Sequence, residues 1–349
     1  MFGARPAEHV IQIGSIMNDL SGATGGLASR VLAWWQAESL AIDSVLVGVS
    51  GGADSVGLLR AVVAEGSIPD VRFVVGHVDH GLRGAVGSSD ARWVGGLADV
   101  LGLDHEVVCV DLGESKSEES ARRCRYSALG ELANRHGCQA IMVAHTQDDQ
   151  VETVLHQLLR GTGLKGLAGM SGCKALGDDL LLLRPLLDVS RSEIESWLSD
   201  LGQLWCEDAT NSDTRWTRNR IRHDLLPALE RDYNPRVRQA LLRVSRLSAE
   251  AVGIVADAVD GVWGDCVLEQ TPLVVRLCAE TLGGLPESLV RALLLELWCR
   301  QEWPRQAMTF AHWRALAGLI GDCGALDLPG GVSARRNGGV VRVERGEVG

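Results

Sequence analysis

The chain has 349 residues, more than one domain usually contains, so a large domain with a smaller companion is expected. Hydrophobic residues make up 46% and charged residues 23%, a typical globular composition that argues against extensive disorder. With 34 basic against 45 acidic residues, the formal net charge is -11, so the molecule as a whole repels a polyanion. A nucleic-acid partner therefore requires a local basic face.

The nine cysteines are scattered, and none stands in a C-x-x-C motif or at zinc-ligand spacing from a histidine. This pattern argues against a disulfide framework and a metal cluster, and it favours a reducing, cytoplasmic location. No run of about 18 consecutive apolar residues occurs, so neither a membrane span nor a membrane partner is expected.

The first half of the chain alternates apolar runs with helical periodicity. Residues 1–26 are rich in Gly and Ser and are predicted to form a loose arm, followed by a helix from Leu27 to Leu40. Further helices are expected from near Ser55 and from Glu118 to His136. The predicted strands are Ser44–Val49, Val71–Val78, His105–Val110, Gln139–Ala144 and Leu180–Leu183. This alternation predicts an α/β fold in which helices cover both faces of a parallel sheet.

The second half is mainly helical. An arginine-rich helical region is predicted over 221–259, a further helical segment over 285–320, and a terminal hairpin over 326–343 with turns at two Gly-Gly pairs. Together these signals predict an arm (1–26), an α/β catalytic domain (27–214), an arginine-rich linker (215–250) and a small C-terminal domain (251–349). The linker is the candidate nucleic-acid-binding region and the last domain a candidate substrate-binding region.

A glycine-rich turn follows the first predicted strand, with the sequence Ser50-Gly51-Gly52-Ala53-Asp54-Ser55 before an apolar helix. Glycines let the backbone approach an anion closely, and the N–H groups and dipole at a helix N-terminus attract phosphate. Neither the Walker motif nor the dinucleotide motif G-x-G-x-x-G is present. A plain strand-to-helix turn is the alternative interpretation.

Two further polar clusters follow later strands. Asp79 and His80 come at the end of the second strand, where they would border the same crevice. The alternative is that the preceding His77 is a packed residue and Asp79 a turn former. His145, Asp148, Asp149 and Glu152 follow the i, i+3, i+4, i+7 rule and are predicted to form one titratable helix face. Carboxylates beside a triphosphate need a cation, so Mg²⁺ held by Asp148, Asp149 or Glu152 is predicted, the alternative being an acidic turn that serves the helix dipole.

The basic face that the net charge demands lies between residues 215 and 246, where nine arginines stand against three acids for a local net charge of +6. The candidate nucleic-acid-binding residues in it are Arg215, Arg218, Arg220, Arg222, Arg236 and Arg238. Such contacts to phosphate would position a nucleic acid. A solvated charged helix is the alternative.

Taken together, seven motifs resemble the tRNA(Ile)-lysidine synthetase family, a branch of the N-type ATP pyrophosphatases that have a Rossmann-like sheet and a PP-loop. They occur in the order S-G-G-A-D-S, H-V-D-H-G-L-R, E-S-A-R-R-C-R-Y, A-H-T-Q-D-D-Q-V-E-T, R-G-T-G, L-R-P-L-L-D-V-S-R and E-D-A-T-N-S-D-T-R-W-T-R-N-R-I-R. The resemblance implies ATP and Mg²⁺ as cofactors and a CAU-anticodon tRNA(Ile) and free L-lysine as partners. It also implies adenylation of O2 of the wobble cytidine, followed by displacement of AMP by the lysine ε-amine.

Carried over by motif, the turn from Ser50 to Ser55, including Ala53 and Asp54, would hold the pyrophosphate, and Asp79 and His80 would line the nucleotide site. The ε-amine has an ordinary pKa of about 10.4, so a base must accept its proton. His145 is the candidate base, Glu152 the candidate partner of the ammonium group, and Arg218 a candidate for stabilising charge at the reacting phosphate, with Asp54 also catalytic.

Alternatives within the fold are a tRNA thiolase and an ammonia-using synthetase, and outside catalysis a nucleotide-binding regulator. The missing C-x-x-C motifs speak against an iron-sulfur thiolase, and a regulator would need neither the second acidic cluster nor the arginine-rich region. The assembly state is left open, with a homodimer among the possibilities.

Overall fold

The computed structural model describes residues 26–64, 68–79, 85–110, 118–177, 179–207 and 217–346. The chain divides into two compact units, 1–246 and 247–349. Most of the predicted arginine-rich region, 215–250, therefore belongs to the first unit. Within the described residues, no helix has both the length and the apolar character needed to cross a membrane.

The first unit contains a six-stranded sheet flanked by helices, which confirms the predicted fold class. Its strands are β1 (Ser44–Gly48), β2 (Arg72–Asp79), β3 (Asp104–Cys109), β4 (Ala140–Val143), β5 (Cys173–Ala175) and β6 (Leu181–Leu183). Their order is β3-β2-β1-β4-β6-β5, and every neighbouring pair is parallel except β5 and β6. The antiparallel edge strand β5 was not predicted, because three residues give too short a pattern to detect.

The helices of this unit lie between and after the strands. They are α1 (Leu27–Ala37), α2 (Ala53–Val62), α3 (Ala85–Val100), α4 (Glu118–Arg135), α5 (Gln147–Leu159), α6 (Leu164–Leu167), α7 (Arg191–Asp200), α8 (Thr217–Arg220) and α9 (Leu226–Asp232). A π-helical turn, Ile221–Leu225, joins α8 to α9. The long helix α10 (Val237–Cys266) begins in the first unit and continues into the second.

Alternating burial explains why helices cover both sheet faces. Val45 and Val47 in β1 belong to one apolar cluster with α2, whereas Leu46 belongs to another that contains Leu129 and Leu132 of α4. These three residues of β1 are fully buried, as expected for a central strand of a parallel sheet.

Close packing of α7 on α2 positions the site. A Cβ atom at Gly57 would lie 2.4 Å from the side chain of Ile194, so a larger residue at 57 would force the two helices apart. Because Gly57 lies one turn after Asp54 and Ile194 one turn after Arg191, this contact sets the distance between the first turns of the two helices.

The second unit combines helices with a five-stranded antiparallel sheet of order β7-β8-β11-β10-β9. Its elements are β7 (Val267–Gln270), β8 (Val274–Cys278), α11 (Ala279–Gly283), α12 (Glu287–Arg300), α13 (Phe310–Gly318), β9 (Gly324–Leu328), β10 (Val332–Asn337) and β11 (Val340–Arg345). The predicted terminal hairpin, 326–343, spans three antiparallel strands, β9, β10 and β11, joined by turns at its two Gly-Gly pairs, and β8 pairs with β11.

Candidate active site

The glycine-rich turn lies between β1 and α2 at the carboxyl edge of the sheet. Gly51 has φ of +95°, a left-handed conformation that side chains rarely adopt, and its carbonyl accepts a hydrogen bond of 2.9 Å from the backbone N–H of Cys206. The Ser55 hydroxyl accepts from the Ser50 backbone N–H at 3.1 Å and donates to the Gly52 carbonyl at 2.9 Å. Ser55 therefore fixes the shape of the turn from inside.

The N-terminus of α2 is well suited to an anion. Gly52 is its N-cap and, having no side chain, makes no capping hydrogen bond to the first turn. Backbone N–H groups at such an uncapped end and the helix dipole both favour a phosphate group. The geometry of the turn thus fits the predicted phosphate-binding role of residues 50–55.

Asp54 lies in the first turn of α2 and pairs with Arg191 in the first turn of α7. The Arg191 Nε atom lies 3.2 Å from both carboxylate oxygens of Asp54, and its Nη2 donates to Oδ2. Burial raises the pKa of the Asp54 carboxyl, an effect that Arg191 opposes, while Asp149 is close enough to raise it further. Asp54 and Asp149 therefore belong to one cluster.

Helix α5 brings the predicted carboxylates to the same edge, although it begins at Gln147, so His145 precedes the helix instead of lying on its face. Thr146 is the N-cap: its hydroxyl accepts from the Asp149 backbone N–H, and the Asp149 Oδ2 atom accepts from the Thr146 N–H at 3.0 Å. Burial raises the pKa of Asp149, but Arg218, His145, the hydrogen bond from Thr146 and Arg222 together outweigh burial, and the net effect is a lowered pKa.

Glu152 is 1% exposed and is held by two arginines. Arg222 donates to both of its oxygens, at 2.5 and 3.1 Å, and Arg218 donates to Oε2 at 3.1 Å. These three bonds leave little acceptor capacity on Glu152, so its predicted role as partner of the lysine ammonium group does not fit this geometry. Glu152 instead holds two guanidinium groups beside Asp149, which Arg222 also contacts at 3.4 Å.

Asp148 is similarly engaged. Its Oδ1 accepts from Arg238 at 3.0 Å, its Oδ2 accepts from the Arg191 backbone N–H at 2.9 Å, and Arg238 also pairs with Glu230 at 2.7 Å. These contacts tie α5 to α7 and α10, and they weigh against the predicted metal-ligating role of Asp148. A magnesium ion commonly takes one or two carboxylates together with substrate phosphates. The predicted ligand Asp149, with Oδ1 only in looser contacts, fits such a set, and Asp54 could join it by releasing Arg191, which is bonded to both of its oxygens.

His145 is half-buried and accepts a hydrogen bond of 3.2 Å at Nδ1 from the Nε of Arg184. Burial lowers the pKa of His145 to about 3, with Arg184 and Arg122 acting in the same direction and Asp149 opposing them. The imidazole is therefore neutral near pH 7, and so low a pKa does not suit the predicted role of His145 as a proton-accepting base.

Other predicted residues lie near this cluster or outside the described residues. Asp79 ends β2 at the same sheet edge, next to β1, while His80 and Arg215 lie outside the described residues. Of the predicted tRNA-binding set, Arg218, Arg222 and Arg238 point into the acidic cluster, whereas Arg220 and Arg236 are exposed.

Two arginines of the site were missed from the sequence. Arg184 and Arg191 both belong to the motif L-R-P-L-L-D-V-S-R, which was recognised without a role for its members. The signal that could have found them is their position: Arg184 directly follows a parallel strand, and Arg191 lies in the first turn of the next helix. Positive residues are unusual in a first helical turn, because the helix dipole disfavours them there.

The site as a whole combines an anion-binding turn with carboxylates whose negative charge is balanced by nearby arginines. Two carboxylates, Asp54 and Asp149, border it, and several guanidinium groups and a neutral imidazole surround them. Such an arrangement can bind a polyphosphate, attract a cation and stabilise negative charge that develops during transfer of a phosphoryl or nucleotidyl group.

Comparisons with known proteins agree with this chemistry. A family model described as a PP-loop domain matches residues 25–229. The tRNA(Ile)-lysidine synthase of Rhodopirellula baltica is 35% identical over 317 residues, which cover 80% of this chain and 80% of the relative. That of Solibacter usitatus is 38% identical over 268 residues, or 77% of this chain and 59% of the relative. Among solved structures, the U34-tRNA thiolase NcsA from Methanococcus maripaludis has a TM-score of 0.52 at 17% identity, covering 64% of this chain and 78% of that one, which shows a shared fold alone.

Proposed function

Because the chain belongs to the tRNA(Ile)-lysidine synthase family of PP-loop ATP-dependent ligases, we propose that it joins free L-lysine to C2 of the wobble cytidine in CAU-anticodon tRNA(Ile). ATP is consumed, AMP and pyrophosphate are released, and the product, lysidine, changes codon reading from AUG to AUA. The observation that carries this proposal is the uncapped glycine turn at α2, which faces a cluster of carboxylates and arginines. We also place the reaction in the cytoplasm, in keeping with nine free thiols.

The proposed chemistry has two displacements. Cytidine O2 attacks the α-phosphorus of ATP, the bond to the β-phosphate oxygen breaks, and pyrophosphate leaves. The lysine ε-amine then attacks C2 and loses a proton to solvent, and the former O2 departs as an oxygen of AMP. The first displacement makes the second possible, since a carbonyl oxygen is a poor leaving group until it is esterified to phosphate.

The residues divide between these steps by their contacts. Ser50, Gly51, Gly52 and Ser55 would bind the departing pyrophosphate through the backbone of the turn. Arg218 and Arg222, held by Glu152, would stabilise negative charge at the reacting phosphate. Asp54 and Asp149 would hold Mg²⁺, which supplies a compact positive charge that neutralises phosphate oxygens when bound.

The lysine substrate needs an acceptor for its ammonium group near the same edge. Glu152 has both oxygens occupied by arginines, and Asp148 bonds Arg238 and the backbone of α7. Asp149 keeps Oδ1 in looser contacts, 3.4 Å from Arg222 and 3.9 Å from Arg218. Because Asp149 is the proposed Mg²⁺ ligand, its Oδ1 is taken by the metal, and we assign none of these three carboxylates to the lysine amine.

The proposal is tested with the purified full chain, ATP, Mg²⁺, labelled lysine and a folded CAU-anticodon tRNA. We expect label to remain on the tRNA and, after digestion to nucleosides, to be found on a modified cytidine. A tRNA with uridine at the wobble position serves as control and should take up no label. Absence of lysine from the folded CAU tRNA would remove this function and leave only a nucleotide site.

The exposed arginines should affect tRNA binding and not chemistry. In the double variant R220A/R236A we expect the KM for tRNA to rise about tenfold with kcat unchanged, and the salt dependence of binding to weaken by about two phosphate contacts. Both side chains are exposed and neither forms an ion pair among the described residues, so both are available to phosphate.

Arg231 provides the matched control. It is also exposed but pairs with Asp232 at 2.7 Å, so its charge is already compensated. R231A should change the KM for tRNA by much less than the double variant. If R231A and R220A/R236A weaken binding equally, general charge and not these two positions determines affinity.

A further inference from the structure

We propose that Arg184 is a positioning residue that fixes His145 as a neutral imidazole with its proton on Nε2, so that His145 acts as a hydrogen-bond donor and not as a base. The catalytic consequence rests on the proposed function. The structural claim about the imidazole does not, and it can be measured in the absence of every substrate.

Topology brings the two side chains together. His145 follows β4 by two residues and Arg184 follows β6 directly. These strands are parallel neighbours, with Met142 opposite Leu183, so both residues lie at the carboxyl edge of the sheet that also carries the glycine turn. The contact is therefore a property of the sheet and does not depend on a flexible loop.

Arg184 is buried, at 4% exposure, yet its hydrogen-bond partners among the described residues are neutral. Its Nε donates to His145 Nδ1 at 3.2 Å, its Nη1 donates to the Ser171 carbonyl at 2.8 Å, and a further bond joins it to Tyr126. Burying a guanidinium without a carboxylate costs stability. A buried guanidinium whose described partners include no carboxylate is better explained by a role in the site than by stabilisation of the fold.

A guanidinium has donors and no acceptor, so the atom that it contacts on the imidazole must accept. His145 Nδ1 is therefore unprotonated, and the single proton of the neutral ring resides on Nε2. Moving the proton to Nδ1, or adding a second one, would set an N–H group against an N–H group at 3.2 Å. To accept a proton from an amine at Nε2, His145 would first have to move its own proton to Nδ1 and would then carry a second proton on Nε2.

The charges that face His145 from other elements reinforce this state. Arg122 of α4 and Arg218 of α8 disfavour a positive imidazole, as Arg184 does, and only Asp149 of α5 favours one. Burial is the largest cause that lowers the pKa of His145, these arginines lower it further, and the resulting pKa is about 3. Above that pH the ring remains a neutral donor, which suits it to hydrogen-bond an oxygen that gains negative charge without taking part in proton transfer.

The tautomer can be read by NMR of the full chain labelled with ¹⁵N in histidine, with the His145 signals identified from the spectrum of H145Q. In the wild type we expect a pyridine-type Nδ1, a pyrrole-type Nε2 and no titration between pH 5 and 8. In R184M, which removes the donors but keeps much of the side-chain length, we expect mixed tautomers and a His145 pKa above that of the wild type, but still below the ordinary value of about 6.5 because burial, Arg122 and Arg218 remain. R184K, which retains one donor nitrogen, should lie between them.

Activity gives the second readout. R184M should reduce kcat by about 100-fold or more, the range typical of lost hydrogen-bonding or proton-transfer groups, and should introduce an acid limb into the pH profile. H145Q keeps a neutral N–H donor but has no basic nitrogen. It should retain much more activity than H145A if His145 donates, and as little as H145A if His145 is a base.

Arg60 is the matched control, because it is also a buried arginine, 6% exposed, but it lies two turns along α2 away from the site. R60M should disturb stability without changing the His145 tautomer. The proposal is overturned if wild-type His145 carries its proton on Nδ1, or if R184M leaves the His145 spectrum unchanged. Should R184M fail to fold, the wild-type and R184K spectra still decide. Loss of lysine transfer in the wild type would remove the proposed function without altering the tautomer.

Discussion

Replacing Glu152 by Gln is expected to reduce turnover at least 100-fold and to destabilise the first unit by about 3 kcal/mol, because one change leaves two arginines without their shared carboxylate. Breaking a buried ion pair from one side is costly, since the remaining charge stays buried and unpaired. The same guanidinium groups are the ones proposed to stabilise charge at the reacting phosphate. Both losses should therefore appear together in kcat and in chemical denaturation.

The matched control for this variant is E287Q in the second unit. Glu287 also pairs with an arginine, Arg291, but its side chain is 63% exposed, and exposed pairs contribute about 0 to 1 kcal/mol. E287Q should be close to wild type in both measurements. An E152Q protein with full activity would show that Arg218 and Arg222 hold their positions without Glu152, contrary to the role given to it here.

The second large effect is expected at Asp54. D54N should lower kcat about 1,000-fold while leaving the fold intact, since the amide keeps the size of the carboxylate but neither attracts a cation nor balances Arg191. The free energy of unfolding should change little, because burial already disfavours the charged form, as the raised pKa of Asp54 indicates. Steady-state kinetics and denaturation of the same preparation separate these outcomes.

Asp104 offers the comparison for D54N. It begins β3 at the opposite edge of the sheet, is 75% exposed in its side chain, and lies 3.9 Å from Arg72. D104N removes the same charge from the same unit and should leave kcat unchanged. Comparable losses in D54N and D104N would trace the effect to overall charge.

The fold was predictable because its signals are local and repeated. Each of the five predicted strands is present, as their apolar runs and turn residues required, and the glycines of the turn at 50–55 marked the first connection to a helix. The edge strand Cys173–Ala175 was not predictable, because it forms through antiparallel pairing with Leu181–Leu183 and its own three residues carry no strand pattern.

The sequence predicted which residues form the site better than it predicted which of them contact one another. The spacing of residues 145 to 152 identified the acidic cluster, but a sequence does not reveal which cation each carboxylate meets. The predicted roles of Glu152 and Asp148 in binding substrate and metal do not take account of Arg222 and Arg238. These partners lie 70 and 90 residues away along the chain, so no local pattern reveals them. His145 was likewise taken as a base, since nothing local shows that Arg184 donates to its Nδ1.

The central claim is that the turn from Ser50 to Ser55 binds the pyrophosphate of ATP while the α-β linkage breaks. The most direct test is to incubate the full chain with ATP labelled at the α-phosphate, lysine and CAU-anticodon tRNA, and to follow nucleotide products and lysine uptake together. We expect AMP and no ADP, with one AMP formed for each lysine retained on tRNA. ADP as the labelled product, or lysine uptake without AMP, would contradict it.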